Sequence, residues 1–149
     1  MRAVIQRVSE ASVEVDNTIV GSIDSGLLVF LGVEEGDTEA DLNYIVRKTA
    51  ELRIFDDSEG KMNLDISEVS GAVLLIPQFT LCADCRRGRR PSFTAAAPPD
   101  RAERLCEQCA ERLQDRGIPV EEGSFGEHMS VQLDNDGPVT FVLDSSQEV

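Results

Sequence analysis

The chain has 149 residues, of which 41% are hydrophobic, and its 28 acidic against 14 basic side chains give a formal net charge of −14. This length fits a single domain over residues 1–149 with its own hydrophobic core. The charge excludes unspecific adhesion to nucleic acid or anionic lipid, because the mean field of the protein repels phosphate.

Hydropathy predicts a cytoplasmic protein with no membrane partner. The longest apolar runs, at 27–31 and 72–76, have five residues each, against about 20 for a transmembrane helix. The first residues lack the apolar stretch of a signal peptide. In the cytoplasm the cysteines are expected to be reduced thiols or metal ligands rather than disulfides.

The first third of the chain is rich in strand signals. The segments 4–8 and 12–15 carry many β-branched residues, and Asp16-Asn17 supplies a hairpin turn before a strand at 18–20. The run 27–31 is apolar at every position, which is typical of a central strand that is covered on both faces.

A helix is predicted from Thr38, an N-cap residue with the acid Asp41 three positions on. Its apolar residues recur at helical spacing over 42–52 and indicate one buried face. A short strand at 53–55 and an exposed turn at 56–61 are expected to follow.

The second half of the chain predicts a buried strand over 72–81, interrupted by Pro77, and then an irregular segment over 85–99. Two final strands are predicted at 130–133 and 139–143, joined by a turn. We find no internal repeat, low-complexity segment or linker that would divide the chain.

A second helix is predicted from Asp100 to a stop at Gly117. Its apolar stripe consists of Ala102, Leu105, Cys106, Cys109, Ala110 and Leu113. The pairs Cys82-x-x-Cys85 and Cys106-x-x-Cys109 have the spacing of a four-thiolate zinc site. The stripe favours core thiols for the second pair, since a buried thiol behaves as a small hydrophobe. A redox pair is the third alternative.

His128 is the only histidine, so any nucleophile that histidine activates must use it. It stands at the entry of a predicted strand, where a surface or edge position is the simpler interpretation. The acid pairs Asp56-Asp57 and Glu121-Glu122 lie in turn-like contexts that are typical of solvated charge. The residues therefore predict neither a hydrolase triad nor a carboxylate dyad.

A cluster of basic residues stands out in this acidic chain. It consists of Arg86, Arg87, Arg89 and Arg90. Guanidinium groups make forked contacts to phosphate, and Gly88 between them allows a close backbone approach. The cluster predicts an anionic partner, which is a nucleic acid, a nucleotide or another phosphate ligand. The alternative is a solvated loop that balances nearby acids such as Asp84.

Five motifs together carry a resemblance to a known family. They are Met1-Arg2-Ala3-Val4-Ile5-Gln6-Arg7-Val8, Gly60-Lys61-Met62-Asn63, Gln78-Phe79-Thr80-Leu81, Gly88-Arg89-Arg90-Pro91-Ser92-Phe93 and Asn135-Asp136-Gly137-Pro138-Val139-Thr140. In this order and spacing they closely resemble the D-aminoacyl-tRNA deacylases, from Met1 to about Leu143. The tail 144–149 lies outside the resemblance.

The resemblance implies a fold and an activity. It implies a single-domain α+β homodimer in which β-sheets form a barrel-like core with two main helices. The implied enzyme hydrolyses the ester that joins a D-amino acid, or glycine mischarged on tRNA(Ala), to the 3′ end of tRNA. Aminoacyl-tRNA is the expected partner, with no DNA partner, no metal and no organic cofactor.

The resemblance also implies roles for particular residues. Gly137-Pro138 corresponds to a Gly-cis-Pro element that one subunit inserts into the pocket of the other, where it rejects L-aminoacyl esters. The catalytic site is expected at Gln78, Phe79 and Thr80, which form the pocket floor. There the backbone N–H groups of Phe79 and Thr80 stabilise the oxyanion, and the tRNA 2′-hydroxyl assists. The arginine cluster is expected to contact tRNA.

One position departs from the family pattern. The family usually has serine where this chain has Pro77, and proline lacks both the hydroxyl and the backbone donor. The alternative function is therefore a non-catalytic RNA-binding or zinc-stabilised module with the same fold.

Overall fold

The computed structural model describes residues 1–147. Its strands are β1 (Arg2–Val15), β2 (Thr18–Ile23), β3 (Gly26–Gly32), β4 (Phe55–Asp56), β5 (Met62–Leu64), β6 (Ala72–Pro77), β7 (Val120–Glu122) and β8 (Ser130–Asp144). Its helices are α1 (Glu39–Glu51), α2 (Pro99–Asp115) and the short 3₁₀ helices η1 (Phe79–Cys82) and η2 (Ser145–Gln147). The predicted tail 144–149 thus starts inside β8, and its residues 148 and 149 lie outside the described range.

The sheet is organised around β1, which has 14 residues and pairs with three strands. Its first half pairs with β3 and its second half with β2, while β8 runs along both halves on the opposite edge, always antiparallel. β6 pairs with β3, and β7 with β6, in parallel. The result is a mixed sheet in the order β2-β1-β3-β6-β7, with β8 paired to β1 outside this order, and the sheet is nearly closed into a barrel.

Apolar clusters cover both faces of this sheet. The larger one joins the buried sides of α1 and α2 to inward residues of the sheet such as Val29 and Leu75. The smaller one lies on the opposite face and includes Leu28 and Leu74. β3 therefore buries side chains on both faces, which confirms the central strand that was predicted at 27–31. The predicted class, a single-domain α+β fold with a barrel-like core and two main helices, is also confirmed.

Both predicted helices are present. α1 begins after Thr38, whose N–H donates to the Asp41 carboxylate at 2.7 Å. α2 buries the whole predicted stripe. It ends where Gly117 adopts a φ of +83°, and the Ile118 N–H donates to the Leu113 carbonyl at 3.2 Å. No helix within residues 1–147 is long and apolar enough to cross a membrane.

Two strand predictions near the start are corrected by the pairing. The segments 4–8 and 12–15 form one strand, because Glu10 between them stays paired with Asp134 on β8. The strand predicted at 53–55 is instead the two-residue β4, which pairs with β5. Residues 53 and 54 lie before it, so the local apolar pattern placed this strand too early.

Two later predictions also change. The strand predicted over 72–81 ends at Pro77, and the next residues turn into η1. The segments 130–133 and 139–143 are parts of one strand, β8, because both are held by β1. The predicted turn between them is a bulge that projects from the middle of β8. Sequence reasoning missed β7, which has only three residues.

Candidate functional site

A pocket of about 500 Å³ opens at the ends of β3 and β6. Its walls include residues 76–79 at the end of β6, Ala102 and Cys106 on α2, and the segment 125–129. Most of the lining side chains are apolar. The pocket therefore suits an aromatic or aliphatic group and supplies few side chains for acid–base chemistry.

The floor of the pocket is the end of β6. Pro77 lies past the last pairing of β6 with β7, which joins Leu75 to Glu122. Proline is tolerated at this edge because the ladder needs no N–H there. The Gln78 N–H points to the other side and donates to the Leu31 carbonyl at 2.8 Å, which holds the strand end against β3.

The chain turns at this point into η1, and the first N–H groups of a helical turn have no partner within the helix. Within residues 1–147, no acceptor receives a hydrogen bond from the N–H of Phe79 or Thr80. Both residues are exposed, and the Gln78 side-chain amide donates to the Thr80 hydroxyl. The two N–H groups are thus available to bind an anionic oxygen at the edge of the pocket.

The predicted arginine cluster lies on an exposed loop beside this strand end. Asp84 and Ser92 close the loop through two backbone hydrogen bonds, of 2.8 and 2.9 Å. Phe93, which follows, packs edge-on against Phe79 with 5.1 Å between ring centroids. The aromatic contact therefore joins the base of the arginine loop to the pocket.

The four arginines are not equivalent. The Arg86 guanidinium makes a forked contact with the Asp84 carboxylate at 2.9 and 2.8 Å, and this holds the pKa of Asp84 well below its usual range. Arg87, Arg89 and Arg90 are exposed, and none of them forms an ion pair within the described part of the chain. Arg86 therefore neutralises the nearby acid Asp84, as the alternative interpretation of the loop predicted. The other three arginines can bind an anion from outside the chain.

Gly137 and Pro138 lie on the bulge of β8, and the peptide bond between them is cis. Both residues are exposed, and neither lines the pocket of its own chain. A Cβ on Gly137 would lie 2.4 Å from the backbone nitrogen of Val139, so only glycine fits this position. The structure therefore separates this pair from the strand end at Gln78.

A buried arginine supports the bulge and was missed by sequence reasoning. Arg7 is 6% exposed, and it donates through Nε to the Asp136 carbonyl at 3.0 Å and through Nη1 to the Ile54 carbonyl at 2.9 Å. A second contact from Nη1 reaches the Asp56 carboxylate at 3.3 Å. The signal in the sequence was an arginine at an inward position of β1, two residues after the buried Ile5.

The four cysteines fall into different environments. Cys106 and Cys109 are buried on α2, as the core interpretation predicted, and burial raises the pKa of each thiol to about 12. Cys82 is also buried, and its thiol donates to the Val33 carbonyl at 3.4 Å, whereas Cys85 is exposed on the arginine loop. In the part of the chain that the structure describes, no group of three or more His, Cys, Asp and Glu side chains is placed to hold a metal ion. The cysteines therefore do not form the four-thiolate zinc site.

His128 is exposed and belongs to the segment that walls the pocket. Across residues 1–147, no hydrogen bond joins it to a serine, threonine or cysteine side chain. The surface interpretation of this histidine is thus the one that the structure shows.

The family model described as D-Tyr-tRNA(Tyr) deacylase matches residues 4–144. The chain belongs to this family. A D-aminoacyl-tRNA deacylase of Thermotoga petrophila is 56% identical over 147 residues, covering 99% of both proteins. A D-aminoacyl-tRNA deacylase of Geobacter sulfurreducens is 55% identical, covering 97% of this chain and 95% of that protein.

Solved structures show the same fold. One named c-Myc DNA Unwinding Element Binding Protein has a TM-score of 0.92 at 37% identity, covering 97% of this chain and 98% of that one. One titled as a probable eukaryotic D-amino acid tRNA deacylase has a TM-score of 0.80 at 18% identity, covering 95% of this chain and 97% of that one. The family resemblance that the five motifs predicted is confirmed.

Within this D-Tyr-tRNA(Tyr) deacylase fold, the predicted site residues form two groups. Gln78 and Phe79 at the strand end line the pocket, Thr80 follows them, and the arginine loop adjoins the strand end through Phe93. The pair Gly137-Pro138 stands apart on β8. A single chain therefore presents a pocket and a projecting bulge at different places.

Proposed function

We propose that this chain hydrolyses the ester of D-aminoacyl-tRNA, and of glycyl-tRNA mischarged on tRNA(Ala), and releases the free amino acid and tRNA in the cytoplasm. The observation that carries the proposal is the pair of unpaired N–H groups at Phe79 and Thr80 on the edge of the pocket. Family membership supplies the substrate class, since the relatives are named D-aminoacyl-tRNA deacylase.

The reaction requires little from side chains. Water attacks the ester carbonyl, and the carbonyl oxygen becomes an oxyanion that accepts hydrogen bonds from the Phe79 and Thr80 N–H groups. The carbon–oxygen bond to the ribose 3′-oxygen then breaks, and that oxygen takes up the proton that water loses. The neighbouring 2′-hydroxyl of tRNA relays this proton. Gln78 holds the strand end in place, so that orientation and charge stabilisation supply the catalysis.

Chiral selection in this proposal needs a homodimer. The Gly137-Pro138 bulge projects from its own chain and does not line its own pocket, so a partner's pocket is the place that it fits. Inserted there, its carbonyl groups crowd one side of the substrate α-carbon. An L side chain meets that wall, a D side chain points away from it, and glycine meets no obstacle.

The arginine loop supplies the contact with tRNA. Arg87, Arg89 and Arg90 are exposed beside the strand end, while Arg86 braces the loop through Asp84. Their charge attracts phosphate near the acceptor end, and the acidic remainder of the surface repels the tRNA body. We expect a brief and salt-sensitive contact with RNA rather than with DNA.

A discharge assay tests the activity. Purified protein should release D-tyrosine from D-tyrosyl-tRNA and glycine from glycyl-tRNA(Ala), spare L-tyrosyl-tRNA, and be unaffected by EDTA. Tight tRNA binding with no discharge would support the non-catalytic module instead. Loss of activity in EDTA, with recovery on adding Zn²⁺, would contradict the cofactor-free mechanism.

Subunit complementation tests the dimer. A mixed dimer of one Phe79→Pro subunit and one Gly137→Ala subunit contains one pocket with an intact floor that receives an intact bulge. This mixed dimer should combine the high D-to-L ratio of wild type with a rate well above that of the Phe79→Pro parent, a combination that neither parent homodimer has. If the bulge served its own chain's pocket, the D-to-L ratio of the mixed dimer would stay at that of the Gly137→Ala parent.

A further inference from the structure

The bulge of β8 is an unpaired stretch inside a long strand. Gln6 on β1 pairs with Thr140, but Val8, two residues later, pairs with Asn135. Residues 136–139 on β8 have no ladder partner on β1. A segment that has lost its ladder hydrogen bonds needs other contacts to hold one conformation.

One side chain replaces the missing ladder at the base of the bulge. The Asn135 Oδ1 atom accepts a hydrogen bond from the Val139 N–H at 2.8 Å, and Asn135 Nδ2 donates to the Val139 carbonyl at 3.1 Å. The same Nδ2 lies 3.3 Å from Gln6 Oε1 and 3.4 Å from Thr140 Oγ1. Asn135 thus satisfies both backbone polar groups of Val139, as a neighbouring strand would.

Val139 in turn determines where Gly137 can lie. Val139 is 7% exposed, and the position of a Cβ on Gly137 falls 2.4 Å from its nitrogen and 2.6 Å from its Cγ2. Gly137 is therefore packed directly against Val139. Arg7 holds the opposite limb of the bulge at the Asp136 carbonyl. The two limbs have separate anchors, and Asn135 is the anchor on the side of Val139.

The chemistry of this anchor requires a short carboxamide. It must present one acceptor and one donor in one plane to the same residue. Ionised aspartate keeps the acceptor and loses the donor, and alanine loses both.

We propose that Asn135 is a positioning residue for chiral selection: by closing the base of the bulge at Val139, it fixes the direction of the Gly137 and Pro138 carbonyl groups that reject L-aminoacyl esters. This proposal rests on the proposed function of the bulge. It concerns the ratio of D-ester to L-ester hydrolysis rather than the hydrolysis step itself, which belongs to the strand end.

The test measures kcat/KM for D-tyrosyl-tRNA and L-tyrosyl-tRNA with each of four proteins. These are the wild type, N135A, N135D and the control Q132A, whose residue is exposed on the same strand, opposite Ser12. The D-to-L ratio should fall at least about tenfold in N135A and in N135D, mainly through faster L-ester hydrolysis, and stay unchanged in Q132A. Because both substrates meet the same preparation, any unfolded fraction cancels from the ratio. N135D keeps the side-chain shape and remains measurable if N135A does not fold.

The outcomes separate this proposal from the proposed function. An unchanged ratio in N135A and N135D, with a lowered ratio in G137A, overturns the role of Asn135 and leaves the bulge as the selective element. An equal loss of both activities at a constant ratio also overturns it, because that is the signature of a merely structural residue. A wild type that fails to discharge D-tyrosyl-tRNA would refute the proposed function itself.

Discussion

The strand end at 78–80 and the bulge at 135–139 differ in whether their backbone polar groups have hydrogen-bond partners. At the strand end, the N–H groups of Phe79 and Thr80 are unpaired within residues 1–147. At the bulge, Arg7 and Asn135 satisfy backbone groups that lost their ladder partners. A site that binds a developing charge needs donors that are still free, whereas a steric filter needs groups that cannot move. If the proposed function holds, catalysis and selection are therefore built at separate places in this chain.

The largest effect is expected from removing a backbone N–H donor at the strand end. Phe79→Pro deletes one N–H at the first position of η1, where proline removes no hydrogen bond within the helical turn. We expect kcat for D-tyrosyl-tRNA to fall about 10²–10³-fold relative to Phe79→Ala. Both variants lack the phenyl ring, but Phe79→Ala keeps the backbone N–H. Steady-state discharge kinetics measure this, and equal rates for the two variants would refute the oxyanion role of that donor.

The next largest effect is expected from a change in the bulge, which should lower chiral selection and leave the hydrolysis step largely intact. Gly137→Ala forces a Cβ against Val139 and must displace the bulge. We expect the D-to-L ratio of kcat/KM to fall by about tenfold or more, with kcat on the glycyl ester within a few-fold of wild type. Gly36→Ala is the control, because it lies at a positive φ of +87° with no neighbour near its Cβ. An equal drop of the D-to-L ratio in Gly137→Ala and Gly36→Ala would show that backbone strain alone causes the effect.

A smaller effect concerns the approach of tRNA to the strand end. Replacing Arg87, Arg89 and Arg90 by alanine should raise KM for aminoacyl-tRNA and leave kcat and the D-to-L ratio unchanged. If each arginine meets one phosphate, the slope of log affinity against log salt should become shallower by about 2. Arg53→Ala, which removes one exposed positive charge outside the loop, is the control for the effect of each single charge. A KM that does not depend on salt in the wild type would contradict this role of the loop.

Thiol labelling compares the arginine loop with the pocket wall and is expected to leave activity unchanged. In the native protein, Cys85 should react with iodoacetamide, and Cys106 and Cys109 should not, because burial holds their pKa values at about 12. Peptide mass spectrometry identifies the labelled residue. Labelling of Cys106 before Cys85 would show that the pocket wall opens.

The same two thiols give a pH dependence of stability. Their pKa is about 12 in the folded chain and about 8.5 in an unfolded one. Above about pH 8.5 the unfolded state therefore binds fewer protons than the folded state, and the free energy of unfolding falls as the pH rises towards 12. Denaturant titrations should show a shallower fall in a Cys106→Ala, Cys109→Ala variant. An identical slope would mean that other groups cause the loss.

Local patterns predicted those elements whose signals are contained within one segment. The capping pair at Thr38 and Asp41, the stripe of α2 and the turn at Asp16-Asn17 follow from spacing and backbone preference, because hydrogen bonds within a few residues decide them. The motifs predicted the family, and with it the strand end and Gly137-Pro138 as site residues. Family membership is confirmed, while the roles of those residues stay predictions.

Long-range pairing decided what the local patterns could not. Whether 130–133 and 139–143 are one strand or two depends on β1, which holds both and leaves a bulge between them. Arg7 and Asn135 acquire their partners only through that register, since their contacts reach backbone groups of the bulge. The sequence by itself determined the helices, the turn and the family. Only the tertiary structure showed that backbone N–H groups are unpaired at the strand end and that backbone groups of the bulge are hydrogen-bonded. The reason is that contacts between distant segments decide which backbone groups find a partner.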